Sequence, residues 1–250
     1  MTTALDIAAI RDLLPDSEIH YHQTLNSTMH EAARLAAAGA RSGTAVIAEE
    51  QSAGIGRYRR PWHSEAGSGL YLSLVLRVPV NPLITMALGL ATVDAIQKST
   101  GIACDLRWPN DVLIDDRKLA GILTHVDGSA VIAGIGVNVN HTAFPPELAT
   151  QATSLRIASG RPQSREALLV ELLPAIDAFC STLIKEGNQA ILEMFSHASS
   201  YVRGRRVRVD QENGVLTGTT AGLTSDGFLL VRDDDQREHL ILAGGVRPCS

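Results

Sequence analysis

Residues 106–140 read LRWPNDVLIDDRKLAGILTHVDGSAVIAGIGVNVN, and their pattern is informative about the fold. Short runs rich in β-favouring residues alternate here with the turn-forming pairs Asp115-Asp116 and Asp127-Gly128. Strands joined by such tight turns pair with their sequence neighbours and run antiparallel. The stretch therefore predicts an antiparallel meander, with strands near residues 106–108, 112–114, 118–124 and 130–139.

Helical patterns lie on both sides of this meander. Thr28 and Glu31 have the spacing of a capping box, in which each side chain satisfies a backbone donor at the start of a helix. Asn81-Pro82 supplies a cap and a first-turn proline before a second, core-facing helix that ends at Gly101. We expect helices over residues 28–38, 83–101, 164–184 and 190–197, and further strands over 44–48 and 70–76.

The pattern changes near residue 203. From there, short strand-like runs are interrupted by Gly222, Asp226-Gly227 and Gly244-Gly245, which is typical of a small all-β barrel. The predicted fold class is therefore α+β. We expect two domains: residues 1–203 with a mainly antiparallel sheet and flanking helices, and residues 204–250 with a small barrel.

Composition narrows the possible functions. The chain has 250 residues, of which 45% are hydrophobic, enough to fill a sizeable core. A net charge of −5 argues against a protein that wraps nucleic acid. The three cysteines are widely spaced and odd in number, which favours free thiols. Free thiols are typical of a reducing compartment, so we expect a cytoplasmic protein. No apolar run approaches the roughly 18 residues of a membrane span.

A cationic, glycine-bearing loop is the first candidate for chemistry. It runs from Gln51 to Trp62 and reads QSAGIGRYRRPW. Glycines let backbone amides approach an anion, and guanidinium groups bind phosphate oxygens in pairs. The loop therefore indicates a phosphate-binding site, although a cationic surface loop without a ligand would have the same composition.

Three later segments offer polar groups at strand ends. In Arg107–Asp111, the Asn and Asp side chains can bind a nucleotide or a hydrated Mg²⁺, but taken alone the segment is better explained as an ordinary Pro-Asn-Asp turn. In Lys118–Leu123, the lysine begins an apolar strand and Gly121 permits close approach of a ligand, while an edge-strand lysine is the alternative. In Gly134–Asn140, the amides can bind an adenine edge, or the glycines can serve packing alone.

Taken together and in this order, four segments resemble the bacterial biotin protein ligases. The segments are Ser27-Thr28, Gln51–Trp62, Arg107–Asp111 and Lys118–Leu123. The family pattern is Ser-Thr-Asn, then Gly-Arg-Gly-Arg, then Lys-Trp-Pro-Asn-Asp, then Lys-Leu-Ala-Gly-Ile-Leu. The resemblance covers most of residues 22–140, and the C-terminal part is similar in character only.

The resemblance implies an ATP-dependent biotin–[biotin carboxyl carrier protein] ligase. Such an enzyme activates biotin with ATP and Mg²⁺ to biotinyl-5′-AMP and transfers biotin to a lysine of the carrier protein of acetyl-CoA carboxylase or a related carboxylase. The implied architecture is a mixed α/β catalytic domain followed by an SH3-like barrel. Too few residues precede Ser27 for the DNA-binding domain of regulatory members, so we expect a single-function enzyme that binds no nucleic acid.

The resemblance also implies roles for individual residues. Arg57 and Lys118 are the expected catalytic residues, and no metal ligand is assigned. The expected biotin-binding residues are Ser27, Thr28, Met29, Gln51, Gly54, Ile55, Gly56, Arg57 and Lys118. The expected ATP-binding residues are Arg57, Arg60, Trp62, Asn110, Asp111, Lys118 and Asn138.

Three positions depart from the family pattern. Met29 stands where the family usually has Asn, Ile55 replaces the first arginine of the loop, and Arg107 replaces Lys. The first two changes remove polar groups from the expected site, while the third keeps the charge and changes its geometry.

Two other functions fit parts of the sequence. A lipoate or octanoate ligase or transferase shares the fold and the acyl chemistry but takes a linear acyl chain. A non-enzymatic module would dock a partner through its C-terminal strands and bind anions through the cationic loop. The apolar residues of the 130–139 strand allow either internal packing or a homodimer.

Overall fold

The structure is a computed structural model that describes residues 4–211 and 214–249. Its larger sheet has seven strands in the order β1-β2-β3-β7-β6-β5-β4. β1 and β2 run parallel, and every other neighbouring pair is antiparallel. The strands are β1 Ile19–Leu25, β2 Ala45–Gln51, β3 Gly69–Leu76, β4 Asp105–Arg107, β5 Asp111–Ile114, β6 Arg117–Asp127 and β7 Ala130–Asn138.

Helices cover both faces of this sheet. The two long helices α3 and α5 pack against each other on one face, and α2 packs on β2, β3 and β7 on the other. The helices are α1 Ile7–Leu13, α2 Thr28–Ala37, α3 Ile84–Thr100, α4 Leu155–Ser159, α5 Arg165–Glu186 and α6 Asn188–Ala198. By length and composition α5 is apolar enough to cross a membrane, but its buried residues belong to the main core, as expected of a core helix.

The side chains of β3 point alternately to the two faces of the larger sheet. Leu72 and Leu74 of β3 join the large core with α3 and α5, whereas Val75 joins the small cluster under α2. Because side chains alternate along a strand, Ser73 points to the same face as Val75. Ser73 pairs with Gly134 on β7, so this second face carries small residues beneath the first turn of α2.

A buried ion pair joins helix α5 to strand β2. Arg165 lies 2.7 Å from Glu49, and both side chains are at most 5% exposed. The same carboxylate accepts hydrogen bonds from the Leu5 amide and the Tyr21 hydroxyl. Because a buried charge is stable only when it is paired and hydrogen-bonded, this cluster fixes α5 and the N-terminal segment against the sheet.

The C-terminal residues form a second, antiparallel sheet with the order β11-β10-β9-β8-β12. Hydrogen bonds attach it to the larger unit: the Trp108 indole donates to the Gly227 carbonyl at 2.8 Å, and the Arg205 guanidinium donates to Asp116 at 2.6 Å. The strands are β8 Arg203–Gln211, β9 Gly214–Leu223, β10 Leu229–Arg232, β11 Glu238–Ile241 and β12 Gly245–Pro248.

The predicted fold class is confirmed, and so is the meander, since β4 to β7 pair in sequence order. The predicted capping box is wrong. Ser27 is the N-cap of α2, and Thr28 already lies in the first helical turn. The Thr28 hydroxyl is turned toward Gln51 and Ser73 instead of capping the helix.

Candidate functional site

Three glycines form the floor of a pocket on the open face of the larger sheet. Gly121 of β6 pairs with Gly136 of β7, and Gly134 lies two residues earlier on the same face. Their missing side chains leave a narrow depression between the sheet and the cationic loop, with an open volume of about 40 Å³.

One end of the pocket is a network of hydroxyl and amide groups. The side-chain oxygen of Gln51 accepts from the Thr28 amide at 2.8 Å and from its hydroxyl at 3.1 Å. The Gln51 nitrogen donates to Ser64 at 3.0 Å, while Thr28 and Ser73 share a hydroxyl contact at 2.8 Å. These contacts fix the orientation of the Gln51 amide, so this end presents ordered polar groups.

Ser27 and Met29 lie beside this network. Among the described residues, the buried Ser27 hydroxyl has no hydrogen-bond partner. Met29 fills the space over Gly134, where an added β-carbon would lie 2.6 Å from the Met29 sulfur. The pocket wall is therefore polar at Ser27 and apolar at Met29.

The cationic loop closes on itself beside the pocket. The Gly56 amide donates to the Arg60 carbonyl, and the Trp62 amide donates to the Gly54 carbonyl, both at 2.8 Å. Tyr58 and Arg59 occupy left-handed backbone conformations with φ of 57° each. A pair of L-residues in this region is unusual and costs conformational energy. The change of chain direction at Tyr58 and Arg59 brings Trp62 back over the larger sheet.

Trp62 covers the glycine floor. A β-carbon added to Gly136 would lie 2.6 Å from the indole, so the ring fits there only because residue 136 has no side chain. The Lys118 ammonium lies 5.3 Å from the centre of the same ring, a cation–π distance. Among the described residues, the buried indole nitrogen has no hydrogen-bond partner.

Arg57 connects the loop to the Asn110 turn. Its guanidinium donates to the Asn110 side-chain oxygen at 2.9 Å and lies 5.0 Å from the centre of the Tyr58 ring. The Asn110 nitrogen donates in turn to the Ile122 carbonyl at 3.0 Å. Arg57 is thus held at the pocket rim by neutral partners, and its charge stays available to an anion.

Lys118 stands at the pocket with a buried counter-charge behind it. Its ammonium lies 2.6 Å from one oxygen of Asp111, and Arg107 lies 2.7 Å from the other oxygen. Burial alone would raise the pKa of Asp111, but attraction by Lys118 and Arg107 outweighs it, so the pKa lies below its ordinary value. Asp111 is therefore a charged carboxylate that orients two cations.

The structure gathers most of the predicted site residues around one pocket. Those that line it are Ser27, Thr28, Met29, Gln51, Ile55, Gly56, Arg57, Trp62, Asn110 and Lys118. Gly54, Arg60, Asp111 and Asn138 lie outside the lining. Asn138 instead donates to the Thr153 carbonyl at 3.1 Å, behind the strand that carries Lys118.

Sequence reasoning missed a second group of lining residues, which come from the sheet itself. They are Leu72, Ile122, Leu123, Gly134, Ile135 and Gly136, whereas Gly121 lines the pocket as its place in Lys118–Leu123 suggested. The alternation of glycine with large apolar residues in Gly134-Ile-Gly was a usable signal, because it places both glycines on one face.

Comparison with known proteins places this pocket in a family. Residues 21–141 match the Biotin/lipoate A/B protein ligase family, and residues 203–245 match the Biotin protein ligase C terminal domain. The first match includes the glycine floor, the loop and Lys118, and the second covers most of the C-terminal sheet.

Individual relatives agree with these matches. The chain is 35% identical to the bifunctional ligase/repressor BirA of Bacillus subtilis, over 86% of this chain and 69% of the relative. It is 32% identical to a biotin–[acetyl-CoA-carboxylase] ligase of Mycobacterium tuberculosis, over 90% of this chain and 86% of the relative. The biotin protein ligase of Aquifex aeolicus, solved with biotin and ATP, has a TM-score of 0.84 at 27% identity, covering 93% of this chain and 99% of that one. The chain therefore belongs to the biotin protein ligase family.

Proposed function

We propose that this enzyme joins biotin to a lysine of a biotin carboxyl carrier protein in two steps, using ATP and passing through biotinyl-5′-AMP. The observation that carries the proposal is the layout of one pocket. Its polar end at Gln51 suits a ureido head group, the Met29 and Trp62 side chains that lie over the glycines suit an apolar ring and chain, and its rim carries Arg57 and Lys118. An acyl chain that ends in a carboxylate needs these three environments in this order.

In the first step, the carboxylate of biotin attacks the α-phosphorus of ATP, and pyrophosphate leaves. Negative charge gathers on the phosphoryl oxygens and has to be neutralised by groups that are already in place. Lys118, oriented by Asp111, is the group we assign to the carboxylate and α-phosphate. We assign Arg57 to the phosphates, because it stands at the rim and has only neutral partners.

In the second step, the amine of the acceptor lysine attacks the carbonyl carbon of the mixed anhydride. The bond to AMP breaks, an amide forms, and the amine loses a proton. The anhydride hydrolyses when it is exposed to water, so the closed loop and the Trp62 ring are well placed to cover it. No covalent enzyme intermediate is needed.

Mg²⁺ accompanies ATP in such reactions, but the Asn110 and Asp111 side chains do not form a protein site for it. The Asn110 oxygen accepts from Arg57, and the two Asp111 oxygens face Arg107 and Lys118. A divalent cation would have to displace these cations. We therefore assign no step to a protein-held Mg²⁺.

The proposal extends to the remaining expected residues, the domain boundary, the cellular compartment and the oligomeric state. Gly54 shapes the loop, and Arg60, Trp62 and Asn138 contribute to the adenylate site. We further infer that the chain divides near residue 203, in keeping with the start of β8 at Arg203, and that the enzyme works in the cytoplasm. A homodimer is compatible with this proposal.

Pyrophosphate release is the direct test of the first step. We expect release that depends on biotin and not on lipoate or octanoate, and labelled biotin should then appear on a carrier domain with an intact acceptor lysine. A carrier domain with that lysine changed to arginine is the matched control. Release with lipoate alone would show that the lipoate function is the correct one, and no release with any acid would refute the ligase proposal.

A further inference from the structure

Three side chains with metal-binding chemistry lie together outside the pocket. One possible ligand atom from each of His63, Glu65 and His141 lies within 4.8 Å of the other two. His63 and Glu65 belong to the segment between Trp62 and β3, and His141 follows β7. They are absent from the pocket lining, so the proposed ligase reaction does not account for them.

Hydrogen bonding fixes the proton position on His141. The Tyr71 hydroxyl lies 3.0 Å from the backbone oxygen of Glu65 and 3.2 Å from Nε2 of His141. A carbonyl oxygen can only accept, so the hydroxyl donates its proton to Glu65. Nε2 must then donate to the hydroxyl oxygen. His141 therefore carries its proton on Nε2 and an open lone pair on Nδ1.

This lone pair is buried without a partner. His141 is 0% exposed, and among the described residues its Nδ1 has no hydrogen-bond partner. A buried polar atom without a partner is costly, which points to a ligand that completes the site.

The neighbours of His141 hold its ring in place. Gly69 makes room for Tyr71, since a β-carbon there would lie 2.3 Å from the tyrosine ring. Phe144 stacks on His141 with ring centres 5.1 Å apart, and the His63 ring lies 5.6 Å away. A histidine whose second nitrogen donates to a fixed neighbour is the usual arrangement of a metal ligand.

We propose that His63, Glu65 and His141 bind a divalent transition metal of the Zn²⁺ class, with Nδ1 of His141 as the buried ligand. Two imidazoles and one carboxylate suit such a metal, and water would complete a four-coordinate site. In a tetrahedral site with metal bonds of about 2.0–2.1 Å, ligand atoms lie about 3.3 Å apart. Glu65 is exposed and His63 is half-buried, so both can move toward His141.

The bound metal would tie two segments that flank the pocket. His63 directly follows Trp62, and His141 lies three residues after Asn138. Metal binding would therefore stabilise the segment that holds the Trp62 indole against the sheet. This inference does not depend on the proposed function, because the three ligands take no part in the reaction.

Cobalt titration of tag-free, chelator-treated full-length protein tests the proposal, since tetrahedral Co²⁺ absorbs visible light. We expect one tight equivalent that Zn²⁺ displaces. His63→Ala and Glu65→Gln should each weaken binding at least about tenfold, as expected for loss of one ligand from three. His197→Ala removes an exposed histidine of α6 and should bind Co²⁺ like the wild type.

Thermal unfolding provides a second measurement. Zn²⁺ should raise the melting temperature of the wild type by at least about 2 °C and leave that of His63→Ala unchanged. Glu65→Gln changes only an exposed side chain and keeps the test valid if His63→Ala folds poorly. The proposal is overturned if the wild type binds no Co²⁺ tightly, or if Glu65→Gln binds it as well as the wild type does.

Discussion

Lys118 and Asp111 form an ion pair at 2.6 Å, in which the carboxylate is buried and the ammonium stands at the edge of the pocket. Asp111 has a second cation, Arg107, on its other oxygen. Because the buried carboxylate fixes the lysine, the charge at the pocket edge is oriented before any substrate binds. Preorganised charge of this kind is the main source of catalytic power in reactions that develop oxyanions.

The Lys118→Gln enzyme should form adenylate at least about 100-fold more slowly than the wild type, since a preorganised charge at the reacting oxygens is lost. Biotin-dependent pyrophosphate release in a single turnover measures this step. Lys98→Gln is the matched control, because Lys98 is an exposed lysine that pairs with Asp94 on α3. An unchanged rate in Lys118→Gln would remove this residue from the mechanism.

Arg57→Gly should release biotinyl-AMP about 10- to 100-fold faster while still making it. A charged hydrogen bond is worth about 1.5–3 kcal/mol, and its loss weakens retention of the adenylate. Released adenylate can be measured by chromatography. Arg59→Gly is a close control, since Arg59 is exposed in the same turn and its φ of 57° suits glycine. Equal release from the two variants would contradict the role of Arg57.

Gly136→Ala should weaken binding of biotin and ATP by at least about tenfold, with a smaller effect on stability. The new methyl group would lie 2.6 Å from the Trp62 indole and push the ring off the pocket floor. Isothermal titration of both ligands measures the loss. Gly245→Ala in β12 is the control, because its added methyl group would meet only Asp210, at 3.7 Å. Wild-type affinity in Gly136→Ala would show that the indole can move without consequence.

Glu49→Gln should destabilise the protein by about 3–5 kcal/mol at pH 7, because it removes one charge of a buried ion pair. Burial alone would raise the pKa of Glu49, but Arg165 and the Leu5 amide lower it below its ordinary value of 4.5. A lowered pKa means that the paired carboxylate stabilises the fold above about pH 4.5, and this contribution is lost as pH falls through the lowered pKa.

Urea unfolding of the wild type and of Glu49→Gln at several pH values tests this pH dependence of the stability. The difference in unfolding free energy should stay constant from pH 7 to about pH 5 and shrink below about pH 4.5. Glu50→Gln, next to it on β2 but exposed, should cost little at any pH. A difference that grew on acidification would contradict this assignment.

Local patterns predicted most of the strands and helices, because each carries its own turns and periodicity, but they missed α1, β1 and α4. They failed at Thr28, since a capping box and a polar pocket wall use the same residue types. Only the structure shows that this hydroxyl faces Gln51. The site was predictable where it depends on contiguous motifs, as in the loop and around Lys118.

The glycine floor was harder to predict because it depends on strand register. Gly121 and Gly136 are 15 positions apart in the chain and become neighbours only when β6 pairs with β7. Asn138 shows the same dependence, because only the folded structure shows that its side-chain nitrogen donates to the Thr153 carbonyl.

The hydrogen bond from Trp108 to Gly227 makes the larger unit structurally dependent on the C-terminal sheet. Trp108 lies two residues before Asn110, and Gly227 lies against Leu83 at the start of α3. Deleting the sheet would leave a buried indole donor without its acceptor and would uncover apolar surface beside the Arg57 contact. The activity of a truncated chain would therefore reflect mainly the structural disruption that the deletion causes. The contribution of this sheet is better measured in the intact chain, by single changes on its solvent-facing strands.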